Sequence, residues 1–213
     1  MHITKQNYNT NGEVVLFING QFPIALPDLN HFQKIYCTDG AYKKLKLFGV
    51  KPHVVSGDFD SVNLDEVDEE TTVIPTPDQD FTDFEKALQL IANDGFSKVN
   101  VYGCSGLEQD HFLGNVHSMS KFKDELEIVC FDDFGFYFFA AYETYITGFE
   151  NEIISLFPFP KAKNIVSEGV LYPLYKEDLS LSDRVGTRNT ITHQEVKITF
   201  TAGNLLLFIQ HKK

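Results

Sequence analysis

The chain has 213 residues, 18 Lys and Arg against 30 Asp and Glu (formal net charge −12), 43% hydrophobic residues, 20 Phe and no Trp. That apolar share excludes a disordered chain and fits one large or two small packed domains without disulfide support. Up to Asp133 there are 10 basic and 22 acidic residues and beyond it 8 of each, so the acidic excess lies in the first part. Such a balance argues against nucleic acid as a partner, which needs clustered Lys and Arg, and suits a protein that handles a hard cation.

In chain order, Val14–Ile18 is a continuous apolar run ending in Asn19-Gly20 and predicts a buried strand. Ile35–Cys37 is a second strand, stopped by Asp39-Gly40, and Ala41–Phe48 reads as a helix closed by Gly49. His53–Ser56 and Val73–Ile74 are short strands. The segment from Thr82 to about Asn93 is the clearest helix, with Phe84, Ala87, Leu88 and Ile91 on one face and Thr82 with Glu85 as a capping box. Lys98–Tyr102, a helix from about Asp110 to Lys121, and Leu126–Phe131 complete the series. Apolar strands separated by helices predict an N-terminal α/β domain on a parallel sheet, over residues 1–133, with functional groups at the carboxyl ends of strands. From about Phe134 the style changes. Phe136–Tyr142, Ile153–Phe157, Val196–Phe200 and Leu205–Ile209 read as strands with no helix between them, the last two joined through Thr201-Ala-Gly-Asn204. Residues 134–213 are therefore expected to form a small antiparallel β domain.

The three cysteines (Cys37, Cys104, Cys130) are odd in number and lack a C-x-x-C pair, which predicts reduced thiols in a cytoplasmic protein. The first residues lack the apolar run of a signal peptide, and Phe136–Tyr142 is far short of the ~20 residues that span a bilayer, so no membrane partner is expected.

Three strand ends carry the chemistry. In Ser56-Gly-Asp-Phe-Asp-Ser61, Asp58 and Asp60 are two apart in an extended stretch and share a face. Two close carboxylates repel unless a cation such as Mg²⁺ lies between them, although an isolated D-x-D also occurs in plain acidic turns. In Asp78-Gln-Asp-Phe-Thr-Asp83, Asp80 and Asp83 stand at a helix start, where free N–H groups attract anions. The third is Gly103-Cys-Ser-Gly106, leading to Asp110-His111. It is no nucleophile elbow, and the chain holds neither a P-loop nor a G-x-G-x-x-G fingerprint. The only arginines, Arg184 and Arg188, both lie in the β part.

Taken together, Thr38-Asp-Gly-Ala41, Gly57-Asp-Phe-Asp-Ser61, Gln79-Asp-Phe-Thr-Asp83, Gly103-Cys-Ser-Gly106 with Asp110-His111 and Asn115, Ser167-Glu-Gly-Val-Leu-Tyr-Pro-Leu174 and Gly186-Thr-Arg-Asn189 resemble the thiamine pyrophosphokinase family. The resemblance implies an α/β nucleotide-binding domain followed by a β-sandwich-like thiamine-binding and dimerisation domain. It also implies a homodimer whose active sites are shared between subunits. The implied reaction moves a diphosphate group from ATP to the thiamine hydroxyl, giving AMP and thiamine diphosphate. Asp58, Asp60 and Asp83 would then act in catalysis and hold Mg²⁺. Asp39, Gln79, Thr82, Gly103, Ser105, Gly106, Asp110 and His111 would bind the nucleotide, and Thr187, Arg188 and Asn189 the thiamine, from the partner subunit. The sequence departs from the family at two places. A family Gly-Gly-Arg is Gly106-Leu107-Glu108 here, and a family Ser-Asn is Arg188-Asn189, as though the positive charge had moved to the β part. Three rivals remain at this stage. They are a D-x-D nucleotide-sugar glycosyltransferase, a diphosphokinase acting on another heterocyclic alcohol such as a pterin, and a non-catalytic thiamine-binding relative.

Overall fold

The computed structural model describes residues 1–60 and 62–212; Ser61, which ends the first acidic motif, lies outside them. The chain divides into two compact units, Asn9–Asp133 and a discontinuous one made of Met1–Tyr8 with Phe134–Lys213. The first domain was expected to begin at residue 1. Instead the short strand β1 (His2–Thr4) pairs in parallel with residues 145–147, which places the first eight residues with the second unit.

The Asn9–Asp133 unit holds β2 (Val14–Phe17), β3 (Lys34–Thr38), α1 (Asp39–Leu47), β4 (Val54–Gly57), β5 (Thr72–Pro75), α2 (Asp83–Asn93), β6 (Lys98–Tyr102), α3 (Gln109–Phe122) and β7 (Glu127–Asp132). Its strands pair in the order β7-β6-β2-β3-β4-β5, every pair parallel. Strand β2, apolar throughout and fully buried, runs through the middle, as a strand covered on both faces must. Strand β5 lies at an edge, where Pro75 costs no ladder hydrogen bond. In α2 the apolar positions Phe84, Ala87, Leu88 and Ile91 are all buried, and Thr82 with Glu85 forms the capping box at its start. The acidic run Asp65–Glu70 is a loop with one short 3-10 turn at Leu64–Glu66.

In strand order the chain steps outward from β2 to β5 and returns with β6 on the other side of β2. The boundary between β2 and β6 is thus the topological switch point. Open parallel sheets bind ligands outside the carboxyl ends of the strands at such a point.

The second unit adds β8 (Gly135–Phe139), β9 (Glu143–Thr147), β10 (Ile153–Glu168), β11 (Tyr175–Ser180), β12 (Gly186–Thr190), β13 (Glu195–Thr199) and β14 (Ala202–Gln210). Apart from β1 with β9, all its pairings are antiparallel. The 16-residue β10 serves two groups of strands. Its first half pairs with β12 and β14, and its second half chiefly with β11 and β13, with a break in register between Pro158 and Ala162. Buried Phe136, Phe138, Phe149, Leu156, Ile165, Ile198 and Leu207 fill its core. Strand β8 stops at Phe139, short of the expected Tyr142, which is exposed. Among the described residues, no helix is long and apolar enough to cross a membrane.

Candidate active site

A cleft of about 550 Å³ opens at the carboxyl ends of β2, β3, β4 and β6, lined from both sides of the switch point by Asn19, Gly20, Asp39, Asp58, Gln79, Asp83, Gly103 and Ser105, among others. Two loops meet there at van der Waals limits. A Cβ on Gly20 would lie 1.9 Å from the Gly103 carbonyl oxygen, and one on Gly103, whose φ is +88°, would lie 2.1 Å from that of Ile18. Glycine at both places lets backbone run against backbone. The contact is fastened by Gln21 N–H donating to the Ser105 carbonyl at 2.8 Å. Across α3, Asn115 Nδ2 donates to the Cys104 carbonyl at 2.9 Å.

Asp39 begins α1 and is buried, with 3% of its surface exposed. Its Oδ1 accepts the Gly40 N–H at 2.7 Å and its Oδ2 accepts the Phe59 N–H at 2.9 Å, so each oxygen is fixed by a backbone donor. Phe59 adopts a left-handed backbone conformation (φ +62°) that turns the chain between Asp58 and Asp60. Burial raises the Asp39 pKa above the usual carboxylate value, the two backbone donors oppose that, and the negative charges of Asp83 and Asp58 add to it. Asp58 shifts the other way, lowered first by the hydrogen bond from Gln79 Nε2 (3.0 Å) and then by the Asp60 N–H (3.2 Å).

Asp39, Asp58 and Asp60 each place a carboxylate oxygen within 4.8 Å of the other two. A set of three hard oxygen donors of like charge matches a hard divalent cation such as Mg²⁺. Asp83 lines the same cleft outside this group, and its Oδ1 pairs with Lys86 Nζ at 2.7 Å, one helical turn on. Asp80 does not line the cleft; its N–H donates to Asp78 Oδ1 at 2.9 Å.

Sequence reasoning overlooked Lys86. Its side chain is only 10% exposed, and Nζ also donates to the Thr76 and Asp78 carbonyls at 2.9 and 3.0 Å, which ties the β5–α2 loop to the helix. The available signal was the Asp83-x-x-Lys86 spacing at the start of a helix. Asn19, Gly20 and Phe81 also line the cleft and were not singled out.

Of the expected nucleotide-binding residues, Asp39, Gln79, Thr82, Gly103, Ser105, Asp110 and His111 line the cleft. Gly106 does not; it shapes the turn at φ +91°. His111 and Glu108 face each other at 3.5 Å on the exposed rim. Residues at the starts of α1, α2 and α3 all line the cleft; helix starts suit anions, and side chains there already hold the N–H groups of Gly40 (by Asp39), Glu85 (by Thr82) and His111 (by Asp110). Helix starts for an anion beside carboxylates for a cation are what a polyphosphate bound with a divalent metal requires.

Thr187, Arg188 and Asn189 lie on β12 of the other unit. Arg188 has φ +56° and its N–H donates to Ser155 Oγ at 2.9 Å. The Asn189 side chain clasps the backbone of Tyr172, accepting its N–H at 3.0 Å and donating to its carbonyl at 2.7 Å; Tyr172 is 70% exposed. Arg184 pairs with Glu177.

Residues 28–130 match the family model described as thiamin pyrophosphokinase, catalytic domain, and residues 143–205 match its vitamin B1 binding domain. A thiamin pyrophosphokinase 1 of Caenorhabditis elegans is 25% identical over 86% of this chain and 83% of its own length. A thiamine pyrophosphokinase of Bacillus subtilis is 27% identical over 75% and 78%. Among solved structures, the thiamin pyrophosphokinase of Candida albicans superposes with a TM-score of 0.83 at 15% identity, covering 99% of this chain and 92% of that one, which shows the shared fold. With both family domains matched in order along most of its length, the chain belongs to the thiamin pyrophosphokinase family.

Proposed function

We propose that the protein transfers a diphosphate group from ATP to the hydroxyl of thiamine, giving thiamine diphosphate and AMP. The observation that carries this reading is the Asp39, Asp58 and Asp60 group beside three helix starts in one cleft, in a chain that matches both domains of the family. Asp58 and Asp60 would hold Mg²⁺ with Asp39, and Asp83 is kept for a role beside them through its pairing with Lys86. When bound, Mg²⁺ neutralises phosphate charge and makes the diphosphate open to attack. The chain's own part is positioning. Gln79 orients Asp58, backbone N–H groups at the helix starts face the phosphates, and the Gly20–Gly103 contact shapes the nucleotide's floor.

The second unit is read as a β-sandwich-like domain that binds thiamine and joins two copies into a homodimer with shared active sites. Thr187, Arg188 and Asn189 would serve the thiamine end from the partner subunit, and the exposed Tyr172, whose backbone Asn189 holds, is read as an aromatic ring that would stack on a heterocycle. The setting is read as cytoplasmic from an odd number of cysteines with no C-x-x-C pair. The deciding experiment incubates the purified protein with ATP, Mg²⁺ and thiamine and identifies the products. AMP and thiamine diphosphate are expected; ADP with thiamine monophosphate refutes diphosphate transfer. UDP released from a UDP-sugar would point instead to the glycosyltransferase.

A further inference from the structure

Cys104 and Cys130 are 26 residues apart in sequence, yet their sulfurs lie 2.7 Å apart. The β6–β7 register explains the meeting. Val101 is paired with Cys130 and Tyr102 with Phe131, so the turn that follows β6 brings Cys104 back beside β7. Both residues are buried, at 1% and 0% exposure, but they differ in what they face. Cys104 is part of the cleft wall, whereas Cys130 is not and lies 3.5 Å from the Met119 sulfur. The third cysteine, Cys37, directs its thiol to the Thr38 carbonyl at 3.0 Å. Nothing in the proposed transfer reaction uses a thiol.

We propose that Cys104 and Cys130 form a redox modification site, which hydrogen peroxide arriving through the cleft closes into an intramolecular disulfide. In the first step the Cys104 sulfur attacks peroxide. An S–O bond forms, the O–O bond breaks, and one water leaves with the thiol proton, so that Cys104 becomes a sulfenic acid. In the second step the Cys130 sulfur attacks Cys104. The S–S bond forms, the S–O bond breaks, and a second water leaves. Two thiols lose two electrons in total and one peroxide is reduced to two waters. A disulfide needs its sulfurs at about 2.05 Å, and the pair already stands at 2.7 Å. The bond would staple the Gly103–Gly106 turn, which packs against Gly20 and is held by Asn115, to β7. Because peroxide enters by the cleft, a nucleotide there shields the site.

The full chain is treated with hydrogen peroxide, with and without saturating AMP, then alkylated, digested without reduction and mapped by mass spectrometry. Expected is a peptide pair joining Cys104 to Cys130, lighter by two hydrogens and released by dithiothreitol, with Cys37 still alkylated. AMP slows its formation several-fold. In Cys130→Ser the reaction stops at a Cys104 sulfenic acid that dimedone traps; should that variant not fold, the map of the unaltered chain decides alone. Cys104 found as sulfinic acid without the link, or linked to Cys37, overturns the proposal. The AMP arm rests on the cleft being the nucleotide site, so AMP binding is measured separately by equilibrium dialysis. Failure of AMP to bind counts against the proposed function. AMP that binds without slowing the link refutes entry through the cleft.

Discussion

Gly57 sits directly beneath the carboxylate of Asp39, and replacing it with alanine tests whether that carboxylate is as firmly placed as the structure indicates. The added Cβ would stand 2.3 Å from Asp39 Cγ and 2.5 and 2.6 Å from its oxygens, whereas ordinary contact begins at 3.4 Å, so the carboxylate must withdraw by about 1 Å (3.4 against 2.3). Asp39 has no slack for this, since it is buried and each oxygen accepts a backbone N–H, from Gly40 and from Phe59. A hydrogen bond to a charged group contributes about 1.5–3 kcal/mol, and the entropic gain of Gly→Ala offsets about 0.4–1 kcal/mol. The net loss is then about 0.5–2.6 kcal/mol if one bond breaks and about 2–5.6 kcal/mol if both do. Urea unfolding in EDTA measures the loss, and thiamine diphosphate formation should fall with it. The control is the same substitution in an Asp39→Ala background, where the clash with the carboxylate is gone and Gly57→Ala should be neutral or stabilise by up to about 1 kcal/mol. Equal costs in both backgrounds would refute the reasoning.

The Asp39 pKa is raised, so the metal-free chain holds this group's stabilising contribution in full below the unfolded value near 3.8 and loses it as pH rises through the folded one. The difference in urea midpoint between wild type and Asp39→Asn should therefore shift against the wild type as pH climbs from about 4, and Mg²⁺ should reverse the trend; parallel curves would count against it. Lys86→Met removes the cation that ties Thr76, Asp78 and Asp83 together, and should lower stability by about 1–3 kcal/mol and turnover by about 10–100-fold, read from unfolding curves and initial rates. Tyr172→Ala should raise the KM for thiamine about tenfold and leave that for ATP unchanged in steady-state assays, as expected for a ring worth about 1–3 kcal/mol to one substrate. Arg188→Ala should weaken ATP binding and turnover if that side chain replaces the arginine missing at Glu108. Intact ATP affinity and turnover, beside an inactive Asp60→Ala control, would dismiss the exchange.

The parts of the fold legible in the sequence are those set by local pattern. The capping box at Thr82 and the 3.6-residue spacing of Phe84 to Ile91 define α2 before any tertiary contact is known, and the short apolar run at Val14, closed by Asn19-Gly20, reads as a covered strand. The strands that escaped notice lack such a pattern. In β11 only Leu179 is buried, and β12 is half-exposed and polar throughout; their place comes from pairing with β10. Strand β10 itself carries Pro158, Pro160 and Asn164, which read locally as breakers, and β9 (Glu-Thr-Tyr-Ile-Thr) has a single aliphatic residue and no apolar run to announce it. At the site, the D-x-D spacing and the strand-end position of Asp39 were visible. That Asp39, Asp58 and Asp60 form one close group while Asp83 leans on Lys86 depends on how β3, β4 and α2 are set in space, and no spacing rule reaches that far.

The first eight residues belong with strands made more than a hundred residues later, which turns the α/β unit into an insert between two parts of one β unit. During synthesis, Asn9–Asp133 is complete and can fold while β1 still lacks its partner β9. The β unit then closes last, through a pairing whose loop encloses the whole inserted unit and which makes its contact order high. The Met1 backbone, whose nitrogen donates to the Glu143 carbonyl and whose carbonyl accepts the Tyr145 N–H, each at 3.0 Å, is one of the anchors of that closure. Extensions or cuts at the front of the chain therefore strike the β unit, although every neighbouring residue in sequence belongs to the other one.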